Sequence, residues 1–295
     1  ARNVALGSFA LCGNTTGNFN TASGYMALQA NTTGCDNVAM GFCAMHINST
    51  GCNNVGIGRR ALALNTTANC NTAVGFCTLY ANTTGANNTA FGALALMSNT
   101  TGVNNTAVGF GTLDESTTAY DSTAVGTQAM AATTTGHRNN AFGRLALGAN
   151  TTGAKNNAFG AFAMRYNTTG HNNTASGYYT LNKNTTGNYN NAVGIFALRC
   201  NTTGSVNTAM GFCALGRNTT ASENTGFGVC AGFATTTGTL NTSVGSKALI
   251  SNTTAGCNTA VGGCALYANT TGIIHTAVGY KTLVENTTGK YNTAI

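Results

Sequence analysis

Apolar and polar residues follow a pattern that recurs along this chain every 17 residues. One copy, Asn82 to Ser98, reads NTTGANNTAFGALALMS, and copies begin at residue 14 and at every seventeenth residue up to 286. We number the columns of the repeat from the Asn of NTTG. Thr, Asn and Gly are abundant and favour turns and strands over helices. A fixed period with no insertion is typical of architectures in which each copy stacks on the next.

The length of the repeat restricts the fold further. A helix-pair repeat needs about 30 residues or more, so 17 residues are too few. One repeat per coil of a parallel β-solenoid fits, with successive coils about 4.8 Å apart. The pattern therefore predicts an all-β fold, a parallel β-solenoid of the β-helix or β-roll type with one 17-residue repeat per coil.

Three columns are nearly invariant in character. Column 11 is Gly in all 17 copies, which predicts a positive φ or a close backbone approach. Column 15 is Leu or Met in 16 of 17 copies, and column 10 is apolar in 16 of 18. We predict that columns 10 and 15 both point into the core.

Charge follows the same register. All 19 charged residues fall in columns 5, 6, 12, 13, 16 and 17, which predicts that these columns face outward. Arg59, Arg144 and Lys247 are therefore expected at the surface. The net charge of +7 comes from basic residues scattered along the sequence, so no nucleic-acid partner is expected.

The register also bears on domain organisation. It is unbroken from residue 1 to 295, which predicts one continuous solenoid. The chain starts in column 5 and stops in column 10, so we expect a window of a longer repeat array. The sequence contains no apolar run long enough for a membrane span, and no membrane insertion is expected.

Residues that could carry chemistry are few. The eleven cysteines form no CxxC pair, and the acidic residues Asp114, Glu115 and Asp121 are interpreted as local surface charge. We predict no catalytic, cofactor-binding or metal site and no enzymatic activity. A β-helix enzyme acting on polysaccharide is the remote alternative.

Two pairs of cysteines share a column on adjacent coils. Cys35 and Cys52 lie in column 5, and Cys213 and Cys230 lie in column 13. Neighbouring coils bring such residues within the Cα separation of a disulfide. The alternative is that these thiols are small half-buried apolar groups.

The Asn and Thr columns allow several interpretations. Stacked Asn side chains form hydrogen-bonded ladders in repeated β-structure. Each Asn of column 1 also begins an N-x-[ST] sequon, which marks a glycosylation site, although glycans about 4.8 Å apart would collide. Smaller sugars on Thr are sterically easier, and a flat Thr row would bind ice. The candidate glycosylation residues are Asn14, Asn31, Asn48, Asn65, Asn82, Asn99, Asn150, Asn167, Asn184, Asn201, Asn218, Asn252, Asn269 and Asn286.

Aromatic and apolar residues collect in columns 12 and 13. Adjacent positions on a strand face opposite sides, so both columns cannot fill one thin core. We expect an apolar stripe at the surface through which the chain contacts copies of itself. The alternative is that these rings fold back over the alanines of their own coil.

NTTG followed by NTAVG and AL at a 17-residue step resembles repeats in tail-fibre-like proteins of phages, giant viruses and bacteria. More distantly, NTAVG is similar to the core motif of the head repeats in trimeric autotransporter adhesins. The resemblance covers all 295 residues. It implies an extracellular, often trimeric, fibrous protein that reaches or binds surfaces.

We therefore expect a non-enzymatic structural protein, a segment of an extracellular fibre or filament located outside the cell or on a virion or cell surface. No cofactor is expected, and the partners are copies of the chain in a filament or trimer, with surface glycans as a further candidate. The alternatives are a receptor- or glycan-binding adhesin or tail fibre, and an ice-binding protein.

Overall fold

The structure is a computed structural model that describes residues 2–295. Its contacts divide the chain into two units, one ending at Thr152 and the other running from Gly153 to Ile295. Each unit is a parallel β-solenoid with one 17-residue repeat per coil, as predicted. The prediction of one continuous solenoid over residues 1–295 stays a prediction.

Each coil contains a single short strand, formed by columns 8–10. Thr and Val, the commonest residues at its two ends, are strong strand formers. In the first unit the strands are β1 Val4–Leu6, β2 Thr21–Ser23, β3 Val38–Met40, β4 Val55–Ile57, β5 Thr72–Val74, β6 Thr89–Phe91, β7 Thr106–Val108, β8 Thr123–Val125 and β9 Asn140–Phe142. In the second unit they are β10 Asn157–Phe159, β11 Thr174–Ser176, β12 Asn191–Val193, β13 Thr208–Met210, β14 Thr225–Phe227, β15 Thr242–Val244, β16 Thr259–Val261, β17 Thr276–Val278 and β18 Thr293–Ala294.

Neighbouring strands pair in parallel and in strict register. In the first unit Thr89 lies opposite Thr106, and Ala90 opposite Ala107. The second unit repeats this pairing, for example between β16 and β17. Identical columns therefore lie one above another within each unit, and any property of a column becomes a row along the unit.

The side chain that each strand turns inward is the central Ala of column 9. Ala90 is fully buried, whereas Phe91 in column 10 is 42% exposed. The prediction that column 10 points into the core is therefore wrong. Strand alternation allows only one inward residue in a three-residue strand, and the narrow coil takes the smallest side chain there.

Column 15 does point inward, as predicted. Leu96 is fully buried, and so is Ala95 next to it in column 14. Both neighbours face the interior because Leu96 has a left-handed backbone with φ of 51°, which turns the chain between them. Columns 6 and 13 adopt the same conformation, as at Asp36 and Cys43.

The charged columns lie on the outside, as predicted. Arg59, Arg144 and Lys247 are all exposed. The interior of each coil therefore consists of small alanines, one Leu or Met, the Gly or Ala of column 4, and the Asn residues of columns 1 and 7. With so little apolar volume per coil, polar ladders have to hold successive coils together.

The Gly of column 11 permits the closest approach between coils. Gly262 has φ of 133°, and a Cβ there would overlap the backbone carbonyl of Gly279, 2.6 Å from its carbon. We expect Gly262→Ala to destabilise the surrounding coils by about 3–5 kcal/mol through backbone strain and overlap. Loss of amide hydrogen-exchange protection in β16 and β17 measures the effect.

Gly263→Ala provides a matched control one residue away. A Cβ at Gly263 meets only the ring of Tyr280, at 3.3 Å, and the same column carries Ala at residues 93 and 161. We expect a change within about 1 kcal/mol. Equal losses of protection in the two variants would contradict the assigned role of column 11.

Candidate functional site

The Asn side chains of column 1 form a ladder inside the coil. Asn48 Nδ2 donates to Asn31 Oδ1 on the preceding coil at 2.8 Å and to the carbonyl of Gly51 at 3.0 Å. Asn65 Nδ2 donates in turn to Asn48 Oδ1 at 2.7 Å. Each amide is thus both a link between coils and a clamp on its own NTTG turn.

This ladder contains the candidate glycosylation residues. Twelve of them are fully buried, and only Asn14 and Asn286 are partly exposed. A glycan on Nδ2 would remove one of the two protons that the ladder uses and would have to occupy the coil interior. The folded coil has no space for a glycan at the buried positions, so the geometry favours the ladder interpretation of column 1.

A second ladder runs through column 7. Asn54 Nδ2 donates to the carbonyl of Ala68 on the following coil at 2.8 Å. Its Oδ1 accepts the backbone N–H of Asn71 at 2.9 Å. Asn54 Nδ2 also donates to Asn37 Oδ1 on the preceding coil at 3.2 Å, so one side chain joins three successive coils. These bonds confirm the interpretation of the Asn columns as stacked ladders.

The column 1 ladder is interrupted where Asn is replaced. Ser116 occupies column 1 on the coil after Asn99, and Thr235 occupies it on the coil after Asn218. The Oδ1 atoms of Asn99 and Asn218 are buried without a hydrogen-bond partner. Each acceptor lacks the Nδ2 that the next coil supplies elsewhere. Each of these two interruptions therefore leaves one buried amide oxygen without its hydrogen bond.

We expect Thr235→Asn to repair the ladder in the second unit. The new Nδ2 would donate to Asn218 Oδ1, and the new Oδ1 would accept from Asn252 Nδ2, which now donates only to Ala255. The gain should be about 1–2 kcal/mol. Thr237→Asn, the same change at an exposed position of column 3, should stay within about 0.5 kcal/mol. Unfolding by denaturant compares the variants, and an equal gain in both would refute the repair.

The cysteines predicted to pair are close in space in the first unit. The sulfurs of Cys35 and Cys52 lie 2.8 Å apart as thiols, compared with about 2.05 Å in a disulfide. The hydrogen bond to Cys52, followed by burial, raises the pKa of the Cys35 thiol to about 12. Burial, followed by the neighbouring Cys230, raises the pKa of Cys213.

Both disulfides stay predictions. Oxidation requires one thiolate in each pair, and the raised pKa of Cys35 and of Cys213 makes the thiolates of these two residues scarce at neutral pH. We expect the Cys35–Cys52 and Cys213–Cys230 bonds to form in an oxidising compartment, and to form faster as the pH rises. Mass spectrometry of the unreduced protein measures the two linkages, and four free thiols in protein isolated from an oxidising compartment would refute the pairing.

The outward face of the strands is more apolar than the sequence pattern indicated. Column 10 exposes residues such as Phe91 and Phe227, and column 12 exposes residues such as Phe42 and Phe212. Column 13 is mostly half-buried beside them, as at Phe196. The predicted surface stripe therefore exists, but its exposed rows are columns 10 and 12 and not columns 12 and 13.

Rings on this face contact one another from coil to coil. In the first unit Tyr25 stacks on Phe42 with centroids 5.3 Å apart. In the second unit Phe162 stacks on Tyr179 at 4.7 Å, and Phe196 meets Phe212 edge-to-face at 6.2 Å. The rings cover part of one another and leave the row as a whole exposed to solvent.

The Thr columns divide between structure and surface. In column 2 the Thr32 hydroxyl donates to the carbonyl of Ser49 at 3.0 Å, so this row belongs to the internal bonding. Column 3, for example Thr33, is exposed. Only one of the two Thr rows thus presents free hydroxyls, which gives a single line of Thr and not a flat Thr face.

The acidic residues are not gathered at one point. Asp121 pairs with Arg138 at 3.7 Å on the surface, as expected for local charge. Burial, followed by the neighbouring Glu115, raises the pKa of Asp114.

Among residues 2–295 no three His, Cys, Asp or Glu side chains are grouped as metal ligands. The same residues contain no helix long and apolar enough to cross a membrane.

Comparison with protein-family models, with curated proteins and with solved structures found no match to this chain.

Proposed function

We propose that the chain is a structural segment of an extracellular fibre. The observation that carries this proposal is the repetition of the same internal bonds at every step where the Asn columns are intact. Asn31, Asn48 and Asn65 illustrate it, since each amide accepts from the next and donates to the previous one. A protein built in this way gains length by adding copies and needs no further kind of contact.

Lateral contact between copies is the second part of this proposal. We define the apolar face as the exposed side chains of columns 10 and 12, illustrated in the second unit by Phe227 and Phe212. The exposed apolar side chains recur along both columns, interrupted in column 12 by residues such as Arg59 and Arg144, and burial against another copy removes them from water. Identical faces make a closed trimer or a filament bundle geometrically natural.

Electron microscopy of the native material tests the fibre. Particles labelled with an antibody against the repeat should be elongated and labelled along their length. Compact, unconnected particles at native concentration would contradict the proposal.

Light scattering tests the lateral contact. The double variant Phe212→Ser and Phe227→Ser should lower the association constant of the chain by about tenfold or more, because each ring contributes substantial buried area. The control Val206→Ser and Leu240→Ser removes two exposed apolar side chains from column 6 of the same unit. A monomeric parent chain, or equal effects of the two variants, would contradict a contact through the apolar face.

A further inference from the structure

Four cations occupy one edge of the second unit on four successive coils. Arg165, Lys183, Arg199 and Arg217 all lie at the corner formed by columns 16 and 17, and we call these four residues the basic edge. Every other coil of the chain lacks Lys and Arg at this corner. Four of the thirteen basic residues are therefore gathered at one corner.

The backbone holds these cations in register. Lys183 N–H donates to the carbonyl of Arg199 at 3.1 Å, and Arg217 N–H donates to the carbonyl of Phe233 at 3.0 Å. This is the same N–H to carbonyl pattern as between the paired strands, so columns 16 and 17 each lie over themselves and the corner rises by about 4.8 Å per coil. The basic edge is thus a row of positive charges on a rigid support.

The charges of the basic edge are not neutralised by the described part of the chain. Within residues 2–295 none of the four lies at salt-bridge distance from a carboxylate. From Gly153 to Ile295 there are eight Lys and Arg but only two acids, Glu223 and Glu285. Neighbouring like charges of this kind attract a polyanion and concentrate it locally.

A small pocket opens between the two arginines. Its volume is about 230 Å³, and its walls are formed by Phe196, Arg199, Cys200, Cys213, Gly216, Arg217 and Phe233. The guanidinium carbon of Arg199 lies 5.3 Å from the Phe196 ring centroid, and that of Arg217 lies 5.1 Å from the Phe233 centroid. A Cβ on Gly216 would come within 3.1 Å of the Phe233 ring, so this glycine keeps the floor open.

We propose that the basic edge binds an anionic polysaccharide, with a carboxylate or sulfate group held by Arg199 and Arg217. Guanidinium groups bind such oxygen pairs through parallel hydrogen bonds. The apolar floor fits the face of one sugar ring, because the pocket is smaller than the roughly 300 Å³ at which sites for larger ligands begin. This binding site goes beyond the structural role proposed above.

The spacing favours a polysaccharide over a nucleic acid. Cations rise by about 4.8 Å per coil along a straight corner, whereas the phosphates of one duplex strand rise by about 3.4 Å each along the helix axis and turn away around it. A phosphate backbone would lose register with the row within two or three coils. A glycan with one acid group per sugar or per disaccharide carries its charges further apart.

Binding of the 295-residue chain to immobilised dextran sulfate and polygalacturonate, with neutral dextran as reference, tests the proposal. We expect retention on one or both acidic polymers, none on neutral dextran, and weakening as salt is raised. The double variant Arg199→Gln and Arg217→Gln should weaken binding by about tenfold or more, because two charge-assisted contacts are lost.

The control variant Lys155→Gln and Lys290→Gln makes the same change in net charge in the same unit but on exposed residues of columns 6 and 5. It should change binding by less than about twofold. Equal weakening by both variants would show a response to net charge alone and overturn the site. Equal retention on neutral dextran, or tighter binding of a single-stranded oligonucleotide than of either acidic glycan, would overturn the assignment of the ligand. Circular dichroism establishes that each variant is folded.

Discussion

Leu96→Asp should disrupt the stacking of the coils around residue 96. The side chain is fully buried, as are Ala90 and Ala95 of the same coil. Removal of a buried Leu costs about 2–5 kcal/mol, and an unpaired buried carboxylate adds to this. We therefore expect a local loss of at least about 5 kcal/mol at neutral pH.

Amide hydrogen exchange is the suitable measurement, because repeat arrays do not unfold in a single step. Protection should fall in β6 and β7 and recover with distance along the unit. Ser98→Asp places the same carboxylate two residues away in column 17, over Glu115 of the next coil, and should cost no more than about 1 kcal/mol through like-charge repulsion near the surface. Normal protection in the Leu96→Asp variant would contradict the assignment of column 15 to the core.

Asn54→Asp should weaken the column 7 ladder in a pH-dependent way. The amide of Asn54 donates to the carbonyl of Ala68 at 2.8 Å and to Asn37 Oδ1 at 3.2 Å. A carboxylate at this position would turn a lone pair toward both oxygens. At pH 7 we expect a loss of about 3–5 kcal/mol, typical of an uncompensated buried charge.

The direction of the pH dependence follows from the same geometry. Burial and the two facing oxygens should raise the pKa of the introduced carboxyl above its unfolded value of about 3.9. Below that value both states are protonated, the acid proton can donate to Ala68, and the penalty is smallest. The penalty grows as the pH rises through about 4 and levels off above the folded-state pKa.

Asn87→Asp is the control for this experiment. Asn87 is exposed in column 6, and its neighbours in that column, Cys70 and Asn104, are uncharged side chains at neutral pH. The free energies of unfolding of the two variants should differ most at pH 7 and least at pH 3.5. A penalty for Asn54→Asp that is independent of pH would argue against the ladder as its cause.

Much of the fold follows from the repeat itself. The period, the Asn ladders, the glycine of column 11 and the outward charged columns are all properties of identical residues placed one above another. Column 10 could not be assigned in this way, because an apolar residue looks the same in sequence whether it faces the core or a partner. The orientation of column 10 is decided by the length of the strand. A three-residue strand turns only its central residue inward, and in β6 that residue is Ala90.

The sequence also did not predict the positive φ of the non-glycine residues in columns 6, 13 and 15. Leucine seldom adopts positive φ, since its Cβ approaches the following carbonyl at a cost of about 1–2 kcal/mol. Leu96 adopts it because the turn lets Ala95 and Leu96 both reach the interior. The basic edge was missed for a different reason: its four cations alternate between columns 16 and 17 on successive coils, so neither column is basic by itself.

The ladders also govern how the chain can fold. The ladder bonds between coils described above join residues 14 or 17 positions apart, as between Asn31 and Asn48, so each coil needs only its neighbours to be complete. Short closures of this kind carry a small entropic cost and favour fast propagation once a first pair of coils has formed. At about 5–20 residues per second, a ribosome delivers a new coil every one to three seconds. A nascent unit can thus grow from its finished end one coil at a time, and the nearest free acceptor selects the correct copy among many that are chemically alike.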